Sequence, residues 1–308
     1  MKKNVKCIRG IIPPMVTPLI SGKEIDRIGT VKLIDHMMAG GVHGIFVLGT
    51  TGEGPSIDLD MKKELIELVC EKVSGAIPVL VGITDTSFNE SISIAEFSHE
   101  KGADAVVVAP PYYFPSGQAE LVEYISHLVK ELPLPLFVYN MPVMTKTNIE
   151  PQTVLKLSEI EGICGLKDSS CNMIYYHQIL EMMRDRPDFT VLIGPEEMLA
   201  ESVIFGGHGG IPGGANIFPR LYVEIYEAAL RRDITAMLEL QRRIFVLRRI
   251  YSCGQYASSL IKGVKCALNC MGICSDFMAE PFHSFGTEQR NKIIKILREL
   301  GLLPDAKS

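Results

Sequence analysis

Eight times between residues 10 and 230 a short apolar run gives way to a polar turn and then to a segment with helical period. The runs at 10–16, 44–49, 78–83, 105–109, 136–140, 162–167, 190–194 and 209–213 read as strands. Helical spacing fills the intervals, at 29–39, 59–73, 89–101, 119–131, 151–157, 173–183, 196–205 and 218–230. Several strand runs lack alternation, as expected where both faces of a parallel sheet are covered. Eight such units without a linker-like break predict an α/β fold of the TIM (β/α)8 barrel type rather than a doubly wound sheet. After Arg231 the pattern changes to helices alone, at 234–251, 256–271 and 287–300, with Pro281 between the last two. The chain therefore divides into a barrel over 1–233, which carries the active site, and a C-terminal helical extension over 234–308.

A chain of 308 residues with 47% hydrophobic content fills a barrel of this size. A net charge of −5 with mixed signs points to neither a nucleic-acid footprint nor a membrane-attracting surface. The N-terminal stretch is basic but lacks the apolar segment of a signal peptide, and no run is long enough to span a bilayer. A cytoplasmic protein without nucleic-acid or membrane partners is expected. The eight cysteines are scattered, which predicts free thiols rather than a disulfide frame. Cys266, Cys270 and Cys274, spaced by four, are expected along one helical face as buried small hydrophobes, with no metal bound.

In such a barrel the chemistry sits at the carboxyl ends of the strands. The sixth run ends in Gly165-Leu-Lys-Asp168, which places the amine of Lys167 at the exit of a buried strand. Desolvation disfavours the charged form of an amine, and a neutral amine attacks carbonyl carbon to form a Schiff base. A surface lysine after a strand is the plainer alternative for that position taken alone. The second run ends in Gly49-Thr50-Thr51-Gly52-Glu53-Gly54. Its glycine spacing is that of a phosphate loop, but Pro55 stands where such a loop needs lysine, so a nucleotide is not expected. Backbone N–H groups and two hydroxyls there suit a small carboxylate, although a simple strand-to-helix turn has the same composition. Tyr139 ends the fifth run, and Tyr113 lies on a proline-stiffened loop after the fourth. A phenol moves protons where a second hydroxyl shares them, and Thr50 and Tyr113 are candidates. Glu196 and Glu197, after the seventh run, read either as a helix start or as ligands for hydroxyl groups. In the glycine-rich run 206–214, Ile211 is the one bulky wall, and His208 is expected to be structural.

Gly49-Thr-Thr-Gly-Glu53, Tyr139-Asn-Met-Pro142 and Gly165-Leu-Lys-Asp168, in that order on the expected strands, resemble the dihydrodipicolinate synthase/N-acetylneuraminate lyase family. The likeness runs over essentially the whole chain. It implies a barrel with a C-terminal helical extension, usually a homotetramer, acting on pyruvate or other 2-oxo acids through a lysine Schiff base, with no metal or other cofactor. Under it Lys167 corresponds to the Schiff-base lysine and Tyr139 to the general acid/base. Thr50 and Tyr113 correspond to the rest of a hydroxyl relay, the tyrosine reaching a neighbouring subunit. Thr51, on the loop opened by Gly49, corresponds to the ligand of the keto-acid carboxylate, and Ile211 to a contact of the bound keto acid. Glu196 and Glu197 resemble the acidic pair with which sialic-acid lyases hold sugar hydroxyls, although Gly213 stands where those enzymes use serine. Dihydrodipicolinate synthases carry an arginine where this chain has Met144, with Lys146 the nearest cation. A thioether makes no bidentate contact with a carboxylate.

The resulting expectation is a class I aldolase cleaving a hydroxylated 2-oxo acid, such as a 2-keto-3-deoxy sugar acid, to pyruvate and an aldehyde. Dihydrodipicolinate synthase, N-acetylneuraminate lyase and a non-catalytic 2-oxo-acid-binding protein on the same barrel are the alternatives.

Overall fold

A computed structural model describes residues 8–305; Cys7 and most of the basic N-terminal stretch lie outside the described residues. Eight parallel strands form one sheet: β1 (Gly10–Ile11), β2 (Ile45–Val47), β3 (Val79–Gly82), β4 (Ala105–Val108), β5 (Leu136–Asn140), β6 (Ile163–Asp168), β7 (Thr190–Ile193) and β8 (Gly209–Gly210). Each strand from β2 to β8 pairs with its sequence neighbour, and β8 pairs with β1. The ring closes between the segment after β1 and β2. There Met15 N–H donates to the Phe46 carbonyl at 2.8 Å, and Phe46 N–H donates to the Pro13 carbonyl at 3.0 Å. The outer strands are shorter than the apolar runs suggest, because Pro13, Pro14 and Pro212 bring no N–H to a ladder. Gly209 makes the β1–β8 junction: it has φ +137°, and a Cβ there would collide with the Gly10 backbone.

The connecting helices are α1 (Arg27–Ala39), α2 (Leu59–Val73), α3 (Phe88–Glu100), α4 (Gln118–Glu131), α5 (Pro151–Ser158), α6 (Met173–Met182), α7 (Leu199–Ile204) and α8 (Pro219–Leu230). Several starts are fixed by a side-chain oxygen accepting from a first-turn N–H, as Asp58 does from Met61 at 2.9 Å and Asn172 from Tyr175 at 3.1 Å. A small antiparallel hairpin, Leu19–Ser21 with Glu24–Ile25, precedes α1 and was not legible from periodicity.

Two apolar clusters follow from strand alternation. Phe46, Leu80, Val107, Phe137, Tyr139 and Leu192 fill the barrel interior. Val47, Val81, Val106, Val138, Leu166 and Val191 face the helices. The C-terminal helices α9 (Ile234–Arg248), α10 (Ser259–Cys270) and α11 (Thr287–Glu299) join the outer cluster through Ile244, Leu247, Val264, Ile293 and Leu297. Helix α10 ends at Cys270, so the expected single face of three thiols does not form. Cys266 is buried on the helix, Cys270 is half-buried beside Arg290, and Cys274 lies beyond the helix end. No helix among the described residues is long and apolar enough to cross a membrane.

Candidate active site

A bulge sets the direction of the key side chain. Leu136 pairs with Ile163 but Phe137 pairs with Gly165, leaving Cys164 as an extra residue in β6. Strict alternation from the outward-facing Ile163 would turn residue 167 towards the helices. The extra residue reverses the parity, so Leu166 packs outward while Lys167 enters the barrel. Gly165 permits this crossing, since a Cβ there would meet the Phe137 ring at 2.5 Å.

Lys167 and Tyr139 are direct partners across β6 and β5. Lys167 is buried, with Nζ 3.9 Å from the centroid of the Tyr139 ring and 4.8 Å from that of Phe46. Burial pulls the Lys167 amine below the usual lysine range, and the neighbouring Tyr139 works in the opposite direction. For the Tyr139 phenol, burial acts upward but is outweighed by the Lys167 charge and by hydrogen bonds with Ser169, Thr50 and Lys167, leaving it lowered. The two groups thus form a buried pair, the amine and the phenol each shifted by the other. Asp168, the next residue, faces away from the cavity. It accepts from Asn140 Nδ2 at 2.9 Å and from Ser170 Oγ at 2.9 Å, while Asn140 Oδ1 accepts from Ile149 N–H at 3.0 Å. These bonds fix the exits of β5 and β6, a role that sequence inspection did not single out.

Lys167, Tyr139, Thr50, Thr51 and Ile211 line one cavity of about 410 Å³ at the carboxyl ends of the strands. Gly49 lies behind it on a second cavity of about 380 Å³, where a Cβ would press on the Phe46 ring at 2.6 Å. Met144 is 46% exposed and lines both cavities, whereas Lys146 lines neither. Tyr113 is 69% exposed, packs edge-on against Phe114 at 5.0 Å, and lines neither cavity within this single chain. His208 is structural: its Nδ1 accepts from Val191 N–H at 2.9 Å.

The two glutamates separate in character. Glu196 is buried, and its oxygens accept from Tyr222 at 2.7 Å, Tyr251 at 2.8 Å and Gly214 N–H at 2.7 Å. Burial outweighs these bonds and pushes its carboxyl up to about 7. Both oxygens are engaged by protein donors, which ties the seventh strand's exit to α8 and to the segment after α9, and Glu196 also lines the cavity. Glu197 lines the cavity and forms an ion pair with Arg248, the last residue of α9. Arg248 was not singled out from the sequence, because nothing in local spacing brings a helix C-terminus in the extension to a strand exit.

The loop carrying Thr50 and Thr51 is anchored from the far end of the chain. Glu53, at φ +56°, forms an ion pair with Lys265 of α10, the two side chains being 1% and 0% exposed. Glu53 also accepts from Ala279 N–H at 2.9 Å, and Lys265 donates to the Phe277 carbonyl at 2.7 Å. Sequence inspection placed Glu53 in an anion-binding loop; its role in the structure is to fasten that loop.

Comparison with known proteins agrees with the geometry. Residues 7–300 match the family described as the dihydrodipicolinate synthetase family. A structure described as dihydrodipicolinate synthase from Bacteroides thetaiotaomicron is 50% identical, with TM-score 0.92, covering 95% of this chain and 98% of the other. A prophage protein of that family from Escherichia coli K12, solved in complex with pyruvate, is 26% identical with TM-score 0.91, covering 97% and 100%. A probable 2-dehydro-3-deoxy-D-pentonate aldolase of Escherichia coli K12 is 29% identical over 97% of this chain and 100% of its own.

Proposed function

The chain belongs to the dihydrodipicolinate synthetase family of lyases and aldolases, and from that premise we propose that it is a Schiff-base aldolase cleaving a hydroxylated 2-oxo acid to pyruvate and an aldehyde. The observation that carries this reading is the buried amine of Lys167, lowered in pKa and set against the Tyr139 ring on the cavity wall. In the proposed reaction Lys167 attacks the C2 ketone and water leaves, giving an iminium. Tyr139 takes the proton of the C4 hydroxyl, the C3–C4 bond breaks, and its electron pair moves into the iminium to give an enamine while the aldehyde departs. Protonation at C3 and hydrolysis release pyruvate and the free amine. The iminium is itself the electron sink, so this chemistry calls for no metal or prosthetic group. Thr51 and the backbone N–H groups of its loop hold the keto-acid carboxylate, and Ile211 bounds the keto-acid chain.

Support for a sugar-acid-type substrate comes from Met144, which offers the aldehyde half no cation, and from the polar Glu197–Arg248 wall. A second reading, dihydrodipicolinate synthase itself, is favoured by the 50% identity to the Bacteroides thetaiotaomicron protein of that description. We further propose that the active unit is an oligomer, a homotetramer by family resemblance, in which the exposed Tyr113 serves the hydroxyl relay of a neighbouring copy.

Borohydride reduction in the presence of pyruvate is expected to add a covalent mass at Lys167, and Lys167→Ala to abolish turnover with the fold intact. Absence of an adduct at Lys167 would sink the Schiff-base reading. Pyruvate release from a panel of 2-oxo acids, set against condensation of pyruvate with aspartate semialdehyde, separates the two substrates. Pyruvate binding with no turnover in either assay would leave only a 2-oxo-acid-binding protein.

A further inference from the structure

Arg248 lines the same cavity as Lys167, but from a helix outside the barrel. Its side chain is 51% exposed, and Nε is paired with Glu197 Oε1. Among the described residues, the two terminal nitrogens of Arg248 and the second carboxylate oxygen of Glu197 make no side-chain hydrogen bond. Glu196, beside them on the same cavity, holds its three hydrogen bonds to Tyr222, Tyr251 and Gly214. The Arg248–Glu197 pair therefore offers the N–H groups of two terminal nitrogens and one carboxylate oxygen, with a net charge of zero for the pair.

That arrangement discriminates between ligand chemistries. A carboxylate arriving at Arg248 would find the guanidinium already partly satisfied and the Glu197 charge beside it, so much of the attraction is cancelled. A hydroxyl both donates and accepts, and a pair of vicinal hydroxyls satisfies guanidinium and carboxylate together without importing charge. We propose that Arg248, acting with Glu197, is a specificity-determining residue that holds vicinal hydroxyls on the aldehyde half of the substrate. The inference rests on the aldolase reading above and sharpens it: the preferred aldehydes carry hydroxyl groups on the carbons beyond the carbonyl, and the discriminating cation comes from the C-terminal helices, not from the β5 loop that carries Met144.

The test compares glyceraldehyde, which has two hydroxyls, with propionaldehyde, which has none, in condensation with pyruvate by the full-length protein. Wild type is expected to favour glyceraldehyde. Arg248→Met keeps the aliphatic stem and removes the fork. It should lower kcat/KM for glyceraldehyde about 10–100-fold, the range for a hydrogen bond to a charged group, and for propionaldehyde by about threefold at most. Arg248→Gln, which retains one donor, should fall between the two, and the melting temperatures of both variants report whether the wall has collapsed. Equal losses for both aldehydes, or no loss for either, while borohydride still traps pyruvate on Lys167, would overturn the role of Arg248 and leave the aldolase reading standing. A variant whose main defect is a raised KM for aspartate semialdehyde would overturn the hydroxyl assignment in favour of carboxylate recognition. Failure to trap pyruvate on wild-type Lys167 would remove the aldolase reading and this inference with it.

Discussion

Replacing Lys265 by methionine should damage the active site from a distance, and the size of the effect follows from the burial of its partner. Lys265 and Glu53 are 0% and 1% exposed and are ion-paired. The methionine side chain is close to isosteric with the stem of lysine, so packing within α10 is largely kept. What is lost is the compensation of a carboxylate with no access to water, together with a 2.7 Å bond to the Phe277 carbonyl. Breaking one side of a buried pair costs about 3–5 kcal/mol, since the remaining charge stays desolvated. For a chain of this size about 2 °C of melting temperature accompanies each kcal/mol, so a fall of roughly 6–10 °C is expected. There is no tryptophan in the sequence, and far-UV circular dichroism is the suitable readout. Because Glu53 fastens the loop bearing Thr50 and Thr51, KM for pyruvate should rise as well. The double variant Glu53→Gln with Lys265→Met removes the stranded charge, while the new amide oxygen still accepts from Ala279 N–H, which lies 2.9 Å from Glu53 Oε2. It should recover most of the lost stability. A single variant as stable as wild type, or a double variant no more stable than the single, would refute the argument.

Three further expectations follow from the same geometry. Tyr139→Phe removes the group that holds the Lys167 amine up against burial, so the acid limb of borohydride trapping with pyruvate should move to lower pH while turnover falls about 10²–10⁴-fold; a limb displaced upward would contradict the pairing. Met144→Arg, at a half-exposed cavity position, should raise the preference for aspartate semialdehyde over glyceraldehyde by about tenfold or more, measured as a ratio of kcat/KM; an unchanged ratio counts against that pocket wall. The carboxyl of Glu196 is raised from 4.5 to about 7 in the folded chain, so its contribution is complete below about 4.5 and is lost as pH rises through about 7, amounting to about 3 kcal/mol. The stability of wild type relative to Glu196→Gln should therefore decline between pH 5 and pH 8, and a relative stability that grows with pH would be inconsistent with a buried carboxyl titrating there.

The barrel was legible because its signal is local and repeated: each strand run is apolar on both faces, and each following helix has its own period. Lys167, Tyr139 and Thr50 were legible for a related reason, since strand exits converge on one mouth whatever the intervening distance in sequence. What escaped notice depends on contacts between distant segments. Nothing near Glu53 signals Lys265, and nothing near Glu197 signals Arg248, because both cations arrive on helices whose packing angle is a tertiary property. Nor does anything near Glu196 signal its partners Tyr222 and Tyr251, which look like ordinary amphipathic helix residues. Cys274 was placed on a helix that ends at Cys270, where the turn at Met271-Gly272 diverts the chain. The hairpin at residues 19–25 has strands of two and three residues, too short for periodicity to register.

The extra residue in β6 has a consequence for how this strand tolerates insertion and deletion. A chain lacking Cys164 would run Ile163, Gly165, Leu166, Lys167 against Leu136, Phe137, Val138, Tyr139 in unbroken alternation, with the amine still inside the barrel. Omitting Leu166 gives the same length, Ile163, Cys164, Gly165, Lys167 against the same four residues of β5, so loss of the bulge again leaves the amine inside, and only a second deletion would turn it out among the helices. The bulge gives the strand one residue of slack ahead of Lys167: a single deletion between Ile163 and Lys167 keeps the amine inside the barrel, and a second does not.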